Sequence, residues 1–376
     1  MEAIPYGRQW IDEEDISAVV EVLRGDWITQ GPKVEEFERA IADYVGVRYA
    51  VAFNSGTSAL HAAYFAAGIT EGDEIITSPI TFVATANAAL YLRAQVTFAD
   101  IDMKTYCLDP QEVEKKLTPR TKLVVPVSFA GYPVDLEPFF ELRERHNFTI
   151  IEDASHALGA VRNGKKVGQE ADMTVFSFHP VKHITTGEGG MVVTNKEEFY
   201  ERLKMFRTHG ITKDPDKLTK DEGPWYYEQH YLGYNYRLTD FQCALGISQL
   251  KKIEYFLERR NEIARRYDIA FENMPQIVPA PSVLEPDRHA YHLYPILLND
   301  VNRKDVYLKL REKGIYTQVH YIPVHLQPYY RKKFGFKPGD CPHAEYYYKR
   351  ELSIPMYPKM TDEQQEYVIC SIQKII

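Results

Sequence analysis

The residues best suited to covalent chemistry lie in the run Ser177-Phe178-His179-Pro180-Val181-Lys182-His183-Ile184-Thr185-Thr186-Gly187-Glu188-Gly189-Gly190. A primary amine such as that of Lys182 condenses with a carbonyl only when unprotonated, so it must be desolvated or already held as an imine to work near neutral pH. The apolar run Met173 to Phe178 precedes the lysine and a glycine cluster follows it. That pattern predicts a tight loop leaving a strand, not a solvated helix face. Strand ends are where open α/β sheets place reactive groups. A lysine by itself is usually a surface charge, so its companions decide the matter.

Asn54-Ser55-Gly56-Thr57-Ser58 follows an apolar run and opens an alanine-rich helix. Backbone N–H groups and hydroxyls converge there, and a phosphate is their natural ligand, although a Ser or Thr cap at a helix start is also commonplace. In Ile150-Ile151-Glu152-Asp153-Ala154-Ser155-His156 a carboxylate ends another run. Asp153 is either the cap of a following helix or the anion that keeps a proton on an aromatic ring nitrogen. His156 either stacks on such a ring or packs as a structural histidine. Phe82 offers a stacking face or belongs to the core. Ser177 is a further phosphate candidate, and Asn235 a candidate to reach the same group from another subunit. A phosphate nest, a ring-nitrogen anion and an imine-forming amine on three separate strand ends suit pyridoxal 5'-phosphate better than flavin or nicotinamide.

The elements that must position these groups read as α/β. Helical spacing is predicted from Ile16 to Leu23 and from Val34 to Tyr44. Seven short apolar runs then recur with helices between them: Tyr49 to Phe53, Glu74 to Thr77, Val96 to Ala99, Lys122 to Val127, Phe148 to Ile151, Met173 to Phe178 and Gly190 to Thr194. Such runs imply a mostly parallel sheet covered on both faces. The charged, aromatic stretch Arg207 to His230 is a lid, an interface arm or a plain solvent loop. Leu238 to Tyr267 is expected as one long helix leaving the first domain, and Tyr291 to Leu298 as a strand of a smaller C-terminal α/β domain. His320, Tyr321 and His325 cluster after a strand of that domain, suited to sugar hydroxyl or diphosphate contacts or to core packing. Arg237 is a candidate for bridging loops at the cofactor site or for pairing between subunits.

At 376 residues and 44% hydrophobic content the chain has ample core for two domains. A net charge of -8, from 45 basic and 53 acidic residues mixed along the chain, gives no broad attraction to nucleic acid or anionic membranes. Cys107, Cys243, Cys341 and Cys370 have no paired spacing that suggests a metal site or a disulfide framework, and they read as thiols of a reducing compartment. No stretch supplies the ~20 uninterrupted apolar residues of a membrane span, and a cytoplasmic location is expected.

Six segments together carry a family resemblance: Trp27 to Pro32, Asn54 to Leu60, Glu152 to Ala157, Ser177 through Lys182, Gly187 to Gly190, and Gly233-Tyr234-Asn235-Tyr236-Arg237-Leu238-Thr239-Asp240. Over nearly its whole length the chain resembles the DegT/DnrJ/EryC1/StrS family of pyridoxal-phosphate-dependent nucleotide-sugar aminotransferases. The resemblance implies the aspartate-aminotransferase-like fold type I, with a seven-stranded, mostly parallel sheet in a large domain (1–245, including an N-terminal arm) and a small domain (246–376). It implies an obligate homodimer with shared active sites. Lys182 would be the imine-forming lysine and Asp153 the ring-nitrogen partner. Gly56, Thr57, Ser58 and Ser177 would contact phosphate, joined by Asn235 from the partner subunit. Dehydratase relatives carry histidine at the lysine position, so Lys182 favours transamination.

Within the family, Asn54 to Leu60 and, more discriminatingly, Thr77 to Asn87, Ser155 to Gly159 and Val319 to His325 resemble the transaminases of pseudaminic acid synthesis. That branch implies L-glutamate as amino donor and a UDP-linked 4-keto sugar, UDP-2-acetamido-2,6-dideoxy-β-L-arabino-hex-4-ulose, as acceptor. Ser55-Gly56-Thr57-Ser58 departs from the Ser-Ala-Thr-Ser often found there, which leaves a backbone nest intact. An aminotransferase for another nucleotide-linked keto sugar, or a cofactor-retaining protein without turnover, are the alternatives.

Overall fold

Seven strands form the central sheet: β1 (Tyr49–Phe53), β2 (Glu74–Thr77), β3 (Gln95–Phe98), β4 (Thr121–Val125), β5 (Thr149–Asp153), β6 (Met173–Ser177) and β7 (Gly190–Thr194). The structure, a computed structural model, describes residues 3–376. Their order across the sheet is β1-β7-β6-β5-β4-β2-β3. Every neighbouring pair is parallel except those involving β7, which runs against both β1 and β6. All four residues of β2 and all five of β7 are buried, as expected of a sheet with helices on both faces.

The helices of this part of the chain are α1 (Glu13–Arg24), α2 (Pro32–Val45), α3 (Gly56–Ala66), α4 (Val83–Tyr91), α5 (Pro110–Lys116), α6 (Glu137–His146) and α7 (Glu197–Arg207). Local chemistry sets their ends. The Asp12 side chain accepts from two amides at the start of α1, and Pro32 opens α2, which stops at Gly46 in the left-handed region (φ 88°). The single long helix expected from Leu238 to Tyr267 is two, α8 (Asp240–Leu250) and α9 (Ile253–Phe271). Lys252 at the break is drawn to Asp12 and Asp15, each 2.7 Å away. No glycine or proline marks that break, so apolar spacing runs straight through it.

The C-terminal sheet is antiparallel, β8 (Ile277–Val278), β9 (Tyr294–Leu298) and β10 (Glu351–Ile354), with β9 in the middle. It packs with α10 (Arg303–Glu312) and α13 (Asp362–Ile375) around a second core that also takes Ile4 from the N-terminal arm. Tyr330 of α11 (Pro328–Phe334) and Ala344 and Tyr347 of α12 (Pro342–Arg350) join the core of the large sheet instead. The division expected after residue 245 falls inside α8. Within the C-terminal part Arg260 of α9 joins two distant loops, fully buried and donating to the carbonyls of Tyr291, His292 and Met356 at 3.0, 3.3 and 3.1 Å. The 207–230 stretch carries a short hairpin pairing Ile211–Thr212 with Glu228–Gln229 and exposes Trp225 (72%). No helix is long and apolar enough to cross a membrane among the described residues.

Candidate active site

Gly190 pairs across the sheet with Phe53 on one side and Ser177 on the other, so the reversed strand brings the end of β1 beside the end of β6. α3 begins two residues beyond β1 with a capping box in which Ser58 N–H donates to Ser55 Oγ at 3.1 Å. The first amides of a helix lack intrahelical acceptors, and this cap uses only the third, which leaves those of Gly56 and Thr57 for a ligand. A side chain at Gly56 would place its Cβ 3.2 Å from Ser177 Cβ, and one at Gly190 would place it 2.5 Å from the Ser55 carbonyl oxygen. Both glycines keep the nest close to the Ser177 hydroxyl.

On the far side of the cavity Asp153 ends β5, buried and fully engaged. Oδ2 accepts from Thr85 Oγ1 at 2.7 Å, and Oδ1 from Ser155 Oγ at 2.6 Å and Ser155 N–H at 3.1 Å. No helix follows β5, so Asp153 caps a turn of its own making. Alternation along the strand sends Glu152 to the opposite face, where burial raises its carboxyl to about 7 while Ser128 Oγ donates to it at 2.5 Å.

Lys182 lies in the loop between β6 and β7, its N–H turned back onto the His179 carbonyl at 2.9 Å. Its half-buried side chain lines a cavity of about 470 Å³ shared with Gly56, Thr57, Phe82, Asp153, His156, Ser177, His320 and Tyr321. Burial lowers the amine to about 7, with the Asp153 carboxylate opposing that shift. His156 is pushed well below the ordinary imidazole range, first by burial and then by Lys182. Its Nδ1 accepts from Ala130 N–H at 3.3 Å, and its Nε2 lies 3.4 Å from the Tyr321 hydroxyl. Phe82, 59% exposed, stands at the mouth with its ring 6.2 Å from that of Tyr321.

Four expected site residues lie elsewhere. Ser58 spends its hydroxyl on Asn54 Oδ1 (2.7 Å) and the Ser55 carbonyl (2.8 Å), behind the nest. His325 is fully buried with Nε2 3.1 Å from Glu345 Oε1 and does not line the cavity. Asn235 is exposed, its carbonyl accepting from Asn54 Nδ2 at 3.5 Å, and Arg237 is half-buried beyond the cavity wall. Neither residue lines its own chain's cavity.

Several lining residues carried no expected role: Tyr6, Thr81, Thr85, Ser155, Glu188 and His292. The Asp-x-Ser spacing of 153 and 155 and the four-residue spacing of Thr81 and Thr85 were legible signals, the latter pair being bonded at 2.7 Å. Tyr6 and His292 arrive from the arm and from the segment just before β9, and nothing local marks them.

A reversed strand, a nest, a carboxylate and a desolvated lysine at one sheet edge define the α/β fold type I of pyridoxal-phosphate-dependent transferases. The chain belongs to the DegT/DnrJ/EryC1/StrS aminotransferase family, whose pattern matches residues 9–373. It is 42% identical to the spore coat polysaccharide biosynthesis protein SpsC of Bacillus subtilis, covering 99% of this chain and 97% of that protein. It is 41% identical to the UDP-4-amino-4,6-dideoxy-N-acetyl-beta-L-altrosamine transaminase of Campylobacter jejuni, over 97% and 95%. Among solved structures, Helicobacter pylori PseC, an aminotransferase involved in the biosynthesis of pseudoaminic acid, superposes with TM-score 0.92 at 38% identity, covering 100% and 99%. The PLP form of Streptococcus pneumoniae Spr1654 does so with TM-score 0.92 at 30% identity, covering 100% of both chains.

Proposed function

We propose that this chain binds pyridoxal 5'-phosphate in the cavity and transfers the amino group of L-glutamate to C4 of a UDP-linked 4-keto-6-deoxy-N-acetylhexosamine. UDP-2-acetamido-2,6-dideoxy-β-L-arabino-hex-4-ulose is the acceptor best supported by the Campylobacter and Helicobacter relatives. The observation that carries the reading is Lys182, lowered to about 7, in one cavity with the Gly56–Thr57 nest and the Asp153 carboxylate.

The residues present fit the cofactor. Gly56 and Thr57 amides with the Ser177 and Thr57 hydroxyls suit its phosphate, and the fixed carboxylate of Asp153 suits a protonated ring nitrogen. When bound, the cofactor supplies an aldehyde to a lysine amine and a ring that disperses negative charge from the donor's α-carbon. Asp153, held by Thr85 and Ser155, keeps a proton at the ring-nitrogen position. Lys182, its amine lowered by burial, takes a proton from the α-carbon side and returns it. Neutral His156 covers one side of the cavity without adding a competing charge. Phe82 and Tyr321 narrow its mouth against water.

The reading includes a homodimer. The exposure of Asn235, outside its own chain's cavity, and of Leu232 (77%) three residues before it supports that part of the reading. The comparable likeness to SpsC, a spore coat polysaccharide biosynthesis protein, keeps an aminotransferase for another nucleotide-linked keto sugar as the second reading. A panel of UDP- and dTDP-linked 4-keto sugars with glutamate, read as amine product by mass, separates them. Turnover of another sugar alone selects the second reading. A visible cofactor band that no amino acid bleaches would leave only a binding protein.

A further inference from the structure

Strand alternation puts Glu351 and Ser353 on one face of β10, while Leu352 and Ile354 on the other face enter the C-terminal core. Glu351 and Ser353 are both fully buried, a costly placement for polar groups unless each is bonded. Their partner is the segment leading to His320, which runs beside β10 through paired amides of Gln318 and Ser353 at 3.1 and 2.8 Å.

The bonds form a series. Ser353 Oγ donates to Glu351 Oε1 at 2.6 Å and stands 2.9 Å from His320 Nδ1. Glu351 Oε2 accepts from His320 N–H at 2.8 Å, and the Tyr347 hydroxyl donates to the His320 carbonyl at 3.0 Å. The ring sits between Tyr6 and Tyr321, with centroids 5.3 and 4.9 Å away, and lines the cavity. Nδ1 is thereby occupied, and among the described residues nothing hydrogen-bonds to Nε2. Burial and Lys182 keep the imidazole neutral, lowering it to about 3.

We infer that Ser353 and Glu351 are positioning residues that lock His320 in one tautomer and one orientation, with Nε2 offered to a hydroxyl of the acceptor sugar. With the Ser353 hydroxyl hydrogen given to Glu351, its oxygen accepts from Nδ1–H, so Nε2 is the unprotonated nitrogen and accepts from a sugar hydroxyl. The inference deepens the proposed function and rests on it. A sugar hydroxyl contact acts in the second half of the reaction only, after glutamate has given up its amino group and left as the keto acid.

Ser353→Ala tests it in the cofactor-loaded enzyme. Bleaching of the visible band by glutamate is expected to keep its wild-type rate, which also reports an intact fold. KM for the keto sugar is expected to rise about 10-fold, the scale of one hydrogen bond. In ¹⁵N-histidine spectra of the protein, His320 is expected to give one tautomer in wild type and a mixture in Ser353→Ala. Glu351→Gln, which keeps an acceptor for one of its two donors, is expected to raise the sugar KM less than Glu351→Ala. Unchanged sugar KM with unchanged His320 shifts in Ser353→Ala overturns the inference. Equal loss in both half-reactions does so too, because it marks a merely structural pair. Wild type that bleaches with glutamate but aminates no keto sugar would instead remove the proposed function.

Discussion

Thr85 Oγ1 lies 2.7 Å from Asp153 Oδ2, joining the first turn of α4 to the end of β5. With Ser155 on the other oxygen, this bond sets the plane of the carboxylate before any ligand arrives. Asp153→Asn is expected to slow the glutamate half-reaction by about 10²–10³-fold, the scale of removing one electrostatic stabiliser. Thr85→Val, which frees one oxygen without removing the charge, is expected to cost about 10-fold. Stopped-flow bleaching of the visible band measures both, and equal effects would deny Thr85 its orienting role.

Lys182→Ala is expected to abolish transamination and the visible absorbance while leaving weak cofactor binding through the nest. Equilibrium dialysis with an absorbance spectrum checks this. Undiminished turnover would refute the role given to the amine.

The same amine makes stability depend on pH. Its folded value, about 7, lies below its ordinary 10.5, so between those values the unfolded chain holds a proton that the folded chain has shed. Stability of the apo-protein therefore rises with pH across that window and is flat in this group's contribution below it. Lys182→Met removes the contribution. Its advantage over wild type in urea denaturation is expected to be largest at and below about pH 7 and to shrink by about pH 9.5. An advantage independent of pH would contradict the desolvation of this lysine.

Gly190→Ala places a methyl 2.5 Å from the Ser55 carbonyl oxygen and 2.8 Å from the Gly56 amide nitrogen. Backbone on both sides has to move, at about 1–3 kcal/mol of stability. The nest moves with it, so cofactor affinity is expected to fall more than affinity for glutamate in the enzyme that remains loaded. Fluorescence titration with pyridoxal phosphate measures the first and saturation of bleaching the second.

His325→Leu is expected to lower stability by about 1–3 kcal/mol through the buried Glu345 it leaves short of a partner, with the sugar KM unchanged. A raised KM would return His325 to the sugar site. Thermal unfolding and steady-state kinetics at room temperature separate the two outcomes.

Much of this site is legible because it is built at strand ends. Asp153 and Ser177 close apolar runs, Gly56 and Thr57 open a capped helix, and Lys182 follows a run into a glycine-rich loop. Each signal is local, and a mostly parallel sheet carries such ends to one edge without further instruction. The same logic explains why the seven apolar runs translate into seven strands and why the family could be recognised from six short segments.

Local pattern does not say which partner a buried group will choose. Apolar spacing reports that a side chain is covered, not by what, so His320 and His325 read alike five residues apart. Only packing sends one into the cavity and the other against Glu345. The reversal of β7, the break at Lys252, the arrival of Tyr6 and His292, and the bonding of Ser353 to His320 all rest on contacts between residues distant in the chain. Sequence alone determined the chemistry this protein carries and the order of its elements; tertiary structure decided which neighbours orient each reactive group, because hydrogen bonds and burial are satisfied in space rather than along the chain.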